Sequence, residues 1–252
     1  MADPFKKVHL GNGNLEPRQT TWLFRSPENF TMALALRHRD DSIAEMPSLP
    51  QLSTWRETDP AVMARLQGKR IADMAHRFEL GHRAYVACWN DEPAAWGWVA
   101  TREAEIGELR LRFAIPAGER YLWNFVTLPS HRGLGIYPRL LDAIVNAESS
   151  DSERFWIAYA PENRASGSGI RKAGFVTVAE LSFDMTGKPA LQIVEPDEVA
   201  AAKMFGVPMS DDLSACWRCA RAAAATHSTE TSCATTKSCC CDYQRPEVTC
   251  AA

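Results

Sequence analysis

The residues most able to do chemistry lie in a glycine-rich basic turn near the middle of the chain. An apolar stretch from Val126 leads into the hexapeptide Arg-Gly-Leu-Gly-Ile-Tyr at 132–137, and Pro138 then opens a helical pattern. Glycine lets backbone amides approach a ligand closely, and amides at a helix start beside an arginine attract anions. Most glycine-rich turns are simply loops, so the flanking strand and helix matter. Together they predict a polyanion site, and a pyrophosphate suits it.

Size and composition fit one large domain, or one domain followed by a tail. The chain has 252 residues, of which 46% are hydrophobic and 23% charged, with a formal net charge of −3. That charge indicates neither a nucleic acid nor an anionic membrane as a partner. The N-terminal lysines have no apolar stretch behind them, and no run reaches the length of a membrane span. We therefore expect a cytoplasmic protein with reduced thiols and no membrane partner, and the sequence leaves its oligomeric state open.

The patterning divides the chain into an N-terminal arm at 1–18, a folded domain at 19–209 and a tail at 210–252. In the domain it predicts strands at 20–25, 84–89, 94–101, 109–115, 121–126, 154–160 and 175–183. It predicts helices at 27–38, 61–80, 138–147 and 163–173, a short helix at 197–205, and a loop at 41–60. The order is typical of an α/β fold, with a sheet of mixed strand direction and helices on both of its faces.

A second motif follows the strand predicted at 154–160. It reads Asn163-Arg164-Ala165-Ser166, and Lys-Ala-Gly-Phe stands at 172–175. Asparagine is a frequent N-cap, so Asn163 has a purely structural interpretation as the start of a helix. That interpretation is compatible with a second role in binding a ligand.

The two motifs resemble those of the GNAT superfamily of N-acetyltransferases, over roughly 20–185 and most securely over 84–183. The turn at 132–137 follows the family pattern Arg/Gln-x-x-Gly-x-Gly/Ala except at Tyr137, where the family has a small residue. The second motif follows Asn-x-x-Ala/Ser with a later Lys-x-Gly-Phe. The resemblance implies a GNAT-like, centrally splayed sheet and transfer of an acyl group, with acetyl the first expectation, from acyl-CoA to an amine. It assigns the acyl-CoA, for example acetyl-CoA, to Phe125, Val126, Thr127, Arg132, Gly133, Leu134, Gly135, Ile136, Tyr137, Asn163 and Ser166.

The mechanism that the resemblance implies is direct attack by a neutral amine, with neither a metal nor a covalent enzyme intermediate. The central strands are expected to separate around 125–126 and 156–158, and the amide of Val126 is the candidate for polarising the thioester carbonyl. Asn124 stands where a carboxylate would assist, and Glu119 is the acid that we select as a base. The other acids nearby in sequence, Glu103, Glu105 and Glu108, stay open as alternatives or as surface charges.

The acid of the reaction and the acceptor are less defined. Many family members carry a tyrosine seven residues after the asparagine, where it protonates the departing thiolate, and this chain has Ile170. Either water or another residue then serves as the acid, or coenzyme A leaves as a thiolate. A small-molecule or peptide amine fits as the acceptor, and no charge pattern selects among amine classes.

The C-terminal tail is rich in cysteine, serine and threonine. Thiolates at this density suit Zn²⁺ or Cu⁺, and the candidate ligands are Cys216, Cys219, Cys233, Cys239, Cys240 and Cys241. Two other interpretations stay open: a peptide that is itself modified after translation, and an unstructured tail without chemistry. They lead to a second functional hypothesis, in which a GNAT-like body binds coenzyme A weakly or not at all and presents the tail as a binding or carrier module.

Overall fold

The computed structural model describes residues 31–184, 186–198, 202–211 and 213–214. The arm at 1–18, the strand predicted at 20–25 and the cysteines of the tail lie outside these ranges, so the proposals for them stay predictions. Of the helices described, none has the length and apolar character needed to traverse a bilayer. Within the same residues, no group of three His, Cys, Asp or Glu side chains could hold a metal ion.

The described residues form eleven strands and four α-helices. The strands are β1 (Met32–His38), β2 (Leu52–Glu57), β3 (Arg83–Trp89), β4 (Glu92–Ala100), β5 (Glu103–Ile106), β6 (Leu111–Ala114), β7 (Gly118–Thr127), β8 (Ser152–Tyr159), β9 (Val176–Asp184), β10 (Pro189–Ile193) and β11 (Leu213–Ser214). The helices are α1 (Pro60–Gln67), α2 (Ile71–Glu79), α3 (Ile136–Glu148) and α4 (Arg164–Lys172).

The predicted fold class, a mixed α/β sheet flanked by helices, is confirmed. The main sheet has the order β10-β9-β1-β8-β7-β4-β3-β2, with β11 paired to β9, and β5 and β6 form a separate hairpin. The pair β7–β8 is parallel, whereas β4 pairs antiparallel with β7 and β1 antiparallel with both β8 and β9. A parallel pair needs a crossover, and α3 supplies it.

Helices cover both faces of the sheet. Leu140 and Ile144 of α3 and Ile170 of α4 are buried in one core with Phe155 of β8. On the other face, α1 and α2 bury Met63 and Met74 against β3 and β4. The β5–β6 hairpin lies over the same face farther along, where it packs on β1, β8 and β9. The alternation of side chains along each strand produces this division.

The prediction of a helix at 27–38 is wrong over Met32–His38, which forms β1. This segment pairs with β8 on one side and β9 on the other, and Ala33 to Leu36 are all buried. Methionine, alanine, leucine and arginine favour helices in isolation, which explains the error. A strand covered on both faces also appears as a continuous apolar run, so its period cannot separate the two structures.

Three further segments differ from prediction. The loop predicted at 41–60 contains the edge strand β2, and the helix predicted at 61–80 is divided into α1 and α2 at Gly68, which has a φ of +60°. The strand predicted at 109–115 is shorter and pairs with β5, which was not predicted. Of the short helix predicted at 197–205, the described residues show a helical Ala202 and 3₁₀ turns at Pro196–Glu198 and Lys203–Phe205, and 199–201 lie outside the described ranges.

The two central strands separate at one end, as predicted. β7 pairs with β8 from Gly118 to Leu122, and on that side no described residue pairs with Trp123–Thr127, whereas β8 remains paired with β1 up to Tyr159. The opening between the ends of these strands is called the β7–β8 gap below. A register shift opposite Gly97 and a φ of +53° at Asn124 mark a β-bulge in β7 at the start of the gap. A bulge bends its strand and ends regular pairing.

Candidate functional site

The glycine-rich turn follows β7 directly and opens α3. A 3₁₀ turn at Pro129–His131 leads into it, Gly133 and Gly135 have φ values of +80° and +74°, and α3 begins at Ile136. L-residues with a side chain rarely adopt such values. A Cβ on Gly133 would meet no atom within 4 Å, so the backbone conformation, and not a lack of space, requires glycine there.

The amides of this turn are free. Within the described residues, the N–H groups from Gly133 to Tyr137 donate to no acceptor. The carbonyl of Gly135 accepts a hydrogen bond of 2.9 Å from Arg139 Nη1, and the same guanidinium donates to the carbonyl of Pro47. The arginine therefore fixes the turn through a carbonyl and leaves the amide donors for a ligand.

Arg132 adds a positive charge at the surface of the turn. Its side chain is exposed, and its Nε donates to the carbonyl of Thr127 at 3.2 Å. This bond places the guanidinium beside the end of β7 without neutralising it, since no carboxylate of the described residues is paired with it. A cation, free amides and a helix start are thus combined at the mouth of the β7–β8 gap, an arrangement that suits a diphosphate.

Tyr137, which departs from the family pattern, turns inward between α3 and α4. Its ring lies 5.6 Å from the ring of Phe125, measured between centroids, and a Cβ on Gly169 would be 2.5 Å from it. Burial raises the pKa of its phenol to about 12, and the neighbouring Ser166 side chain opposes that rise. The ring therefore occupies the space between α3 and α4, near Ser166, a predicted cofactor residue.

Asn163 is the N-cap of α4, as its structural interpretation requires. Its side-chain oxygen accepts a hydrogen bond of 3.1 Å from the amide of Ser166. Ile170, which replaces the family tyrosine, is fully buried in the core. The second motif thus shapes the start of α4, and its contact with a cofactor stays a prediction.

The geometry of β7 does not favour the amide of Val126 as the group that polarises a carbonyl in the gap. The amide of Leu128 donates to the carbonyl of Ala94 at 2.8 Å, and hydrogen-bonded pairs alternate along an antiparallel ladder. Val126 and Trp96, which lie opposite each other, therefore form such a hydrogen-bonded pair, and the amide of Val126 points toward β4. By the same alternation, the amide of Thr127 points away from β4, toward the gap.

The two side chains predicted to be catalytic lie apart. Glu119 is buried near the start of β7, where its two oxygens accept bonds of 2.6 Å from Arg154 Nη2 and from Trp156 Nε1. This pairing stabilises the sheet, and no contact supports a role for Glu119 as a base. Asn124 is exposed at the bulge, and its Nδ2 lies 3.5 Å from Gln67 Oε1. The alternatives Glu103, Glu105 and Glu108 are exposed in and beside the β5–β6 hairpin.

Sequence reasoning missed a cleft on the opposite face of the sheet. It has a volume of about 1150 Å³ and lies between α2, the β5–β6 hairpin and Trp123. His82 in its wall is 8% exposed, and burial, followed by the charge of Arg77, lowers the pKa of the imidazole to about 4. Arg77 lies in the last turn of α2 and His82 lies after the helix ends. The two residues therefore share no helical period or motif that would reveal the cleft from the sequence.

The comparisons with known proteins give a distant likeness in fold. No protein-family model and no curated protein matches the chain. A GCN5-related N-acetyltransferase from Kribbella flavida is similar over 59% of this chain and 55% of its own, with 14% identity and a TM-score of 0.39. The chain therefore spans about half of that protein's length.

Two structures from Salmonella typhimurium are similar in the same way. YncA, a putative acetyltransferase solved with its cofactor acetyl-CoA, is 15% identical, with coverage of 51% of this chain and 82% of its own and a TM-score of 0.39. An acetyl transferase that modifies the N-terminal serine of the 50S ribosomal subunit protein L7/L12 is 18% identical, with coverage of 56% and 87% and a TM-score of 0.38. At these values the likeness assigns no activity or substrate to this chain.

Proposed function

We propose that this chain is an acyl-CoA-dependent N-acyltransferase of the GNAT type. The observation that carries the proposal is the set of free amides at 133–137, at the start of α3 and at the mouth of the β7–β8 gap. The two sequence motifs that resemble the family flank that gap, one before α3 and one before α4. No single one of these features is specific, and their combination in one place supports the proposal.

The amides from Gly133 to Tyr137 and the guanidinium of Arg132 would hold the diphosphate of the donor. The free backbone of β7, with the amide of Thr127, would pair with the pantetheine arm and polarise the thioester carbonyl. Phe125 and Val126 line the strand at that point, and Asn163 and Ser166 stand across the gap. Acyl-CoA supplies an activated acyl group: the acceptor nitrogen bonds to the acyl carbon, the carbon–sulfur bond breaks, and the thiolate leaves.

The protein provides few groups for proton transfer at this place. Ile170 has no proton to give, and Glu119 is engaged by Arg154 and Trp156. A thiolate is an adequate leaving group without a protein acid. The proton of the attacking amine would then pass to solvent or to a base on the acceptor side, and the protein would act mainly by orienting the reactants.

One observation favours the second hypothesis, a GNAT-like body that binds or carries without catalysis. The ring of Tyr137 lies between α3 and α4, against Gly169 and Phe125, and the family pattern has a small residue at this position. In that case the body would bind coenzyme A weakly or not at all, and would serve the cysteine-rich tail.

Calorimetric titration of the folded protein with acetyl-CoA separates the two hypotheses. The acyltransferase requires saturable binding, followed by release of free thiol when amines are added. Protein that is folded by circular dichroism and shows no heat of binding would exclude the acyltransferase and leave the carrier.

A further inference from the structure

The cleft beside α2 has the composition of a ligand site. We call it the α2 cleft. Its walls come from α2, from the segment that follows α2, from the β5–β6 hairpin and from β7. The side chains that decide its chemistry are Arg77, His82, Arg102, Arg112, Phe113 and Trp123. The cleft is large enough for a ligand of amino-acid or dipeptide size.

Arg77 is a half-buried cation in this cleft without a counter-ion. Its guanidinium carbon lies 5.1 Å from the ring centroid of Trp98 and 4.7 Å from that of Trp123. Within the described residues it forms no ion pair with a carboxylate, because Asp73, one turn earlier, is paired with Arg70. Burial accordingly lowers the pKa of Arg77. A partly desolvated guanidinium fixed by two rings is arranged for a planar anion such as a carboxylate.

The other two arginines of the cleft are already engaged. Arg102 donates to the carbonyls of Glu79 and Leu80, and Arg112 forms an ion pair of 2.9 Å with Glu105. In the described residues Arg77 donates to the side-chain oxygen of Gln67 but to no carboxylate or backbone carbonyl, so its charge is the one in the cleft wall that a ligand anion can pair with.

Polar atoms without partners surround Arg77. Neither ring nitrogen of His82 is hydrogen-bonded within the described residues, and its Nδ1 is fully buried. Trp123 Nε1 and Gln67 Nε2 are also buried donors, and no acceptor among the described residues pairs with them. Buried donors without partners are costly, so a surplus of donors around one cation favours a ligand rich in acceptors.

The α2 cleft adjoins the β7–β8 gap from the face opposite α3. Gln67 Oε1 accepts from Arg77 Nη1 at 3.3 Å and lies 3.5 Å from Asn124 Nδ2. Asn124 is the bulge residue at which β7 separates from β8. Through Gln67, the cation of the cleft is joined to the start of the gap, so a ligand in the cleft would be close to an acyl group in the gap.

We propose that the α2 cleft binds the acceptor, and that the acceptor is an amine that also carries a carboxylate, held by Arg77. This class comprises free amino acids and small peptides with a free C-terminus. This inference rests on the proposed acyl transfer. The binding test, however, needs no acyl-CoA, so it can fail or succeed separately.

The test is titration of the twenty amino acids and of their carboxamides into the full chain without coenzyme A. Binding is monitored by tryptophan fluorescence and calorimetry. At least one acid should bind about tenfold or more tightly than its amide, since loss of the carboxylate removes a charge-assisted pair. Arg77→Gln should abolish this preference, and Arg65→Gln, an exposed arginine of α1, should preserve it.

Three results would overturn the proposal. These are no binding by any of the acids, equal affinity for acids and amides, and an unchanged preference for the acid in Arg77→Gln. The comparison of acid with amide in the unaltered chain needs no variant, so a folding defect in Arg77→Gln leaves it decisive. A chain that binds the acid but not acetyl-CoA would refute acyl transfer and retain the carboxylate site.

Discussion

Tyr137 on α3 and Gly169 on α4 are complementary in shape: a Cβ on Gly169 would lie only 2.5 Å from the tyrosine ring. The large residue at the end of the glycine-rich turn therefore fits because the facing helix offers no side chain. The same ring packs on Phe125 of β7. The departure from the family pattern at position 137 is thus built into the packing of two helices on a strand.

This pair predicts a coupled effect on stability. Gly169→Ala should lower the free energy of unfolding by about 1–3 kcal/mol, because the added methyl group displaces a packed ring. In the background of Tyr137→Ala the same substitution should cost much less, since the space is then empty. Guanidinium unfolding of the single and double variants measures the coupling, and additive effects would show that the two residues are independent.

Substitution of a turn glycine should change the affinity for the acyl donor by more than its effect on stability explains. Gly133→Ala should weaken binding of acetyl-CoA by about tenfold or more, because a side chain at a φ of +80° strains the turn and moves its amides. Gly68→Ala is the matched control, since Gly68 also has a positive φ, of +60°, and open space around its Cβ position.

Both glycine variants should lose a similar free energy of unfolding, about 1 kcal/mol. Only Gly133→Ala should lose affinity for the donor in calorimetry. Equal loss of affinity in the two variants would mean that general destabilisation, and not the turn, controls binding.

A buried carboxylate holds α3 to the sheet and predicts a large effect on stability. Glu148 accepts hydrogen bonds from Arg120 Nε at 2.8 Å, from the Tyr85 hydroxyl at 2.6 Å and from Arg83. Glu148→Gln leaves two arginines facing a neutral group, so the free energy of unfolding should fall by about 3–5 kcal/mol. Glu153→Gln, at an exposed position of β8, should change it by less than about 0.5 kcal/mol. Urea unfolding compares them, and similar values would refute the network.

His82 predicts a specific dependence of stability on pH. Its folded pKa of about 4 lies below the ordinary histidine value of 6.5, so between these values the unfolded chain binds a proton that the folded chain does not. The contribution of His82 is therefore complete above pH 6.5 and is lost as the pH falls toward 4. With partial solvent screening we expect about 1–2 kcal/mol.

The measurement for His82 is the difference in unfolding free energy between the unaltered chain and His82→Gln at pH 7 and at pH 4.5. The difference should shrink at the lower pH. A difference for His82→Gln that stays constant between the two pH values would mean that the imidazole titrates normally.

The sequence predicted the part of the fold around the turn well, because local signals and tertiary structure agree there. The strand before Arg132, the helix that follows the turn and the capping of α4 by Asn163 have local causes. The separation of the central strands was expected only from the resemblance to the GNAT superfamily. The same agreement fails for Met32–His38, whose helix-forming residues are drawn into the centre of the sheet by strands far away in sequence.

The candidate site shows the same division. The amides at 133–137 follow from glycines that can be read directly, whereas the direction of the Val126 amide depends on a bulge opposite Gly97. The role of Glu119 depends on Arg154 and Trp156 of a neighbouring strand. The α2 cleft is assembled from α2, a hairpin and β7, so no contiguous pattern could reveal it.

The most direct test of the central claim is the response of individual amides to acetyl-CoA in ¹H–¹⁵N NMR spectra of the assigned protein. If the turn holds the donor's diphosphate, the amides of Gly133 to Tyr137 should show the largest shifts, and inorganic pyrophosphate should reproduce part of them. Binding that leaves these amides unshifted, or no binding by the folded chain, would contradict the account.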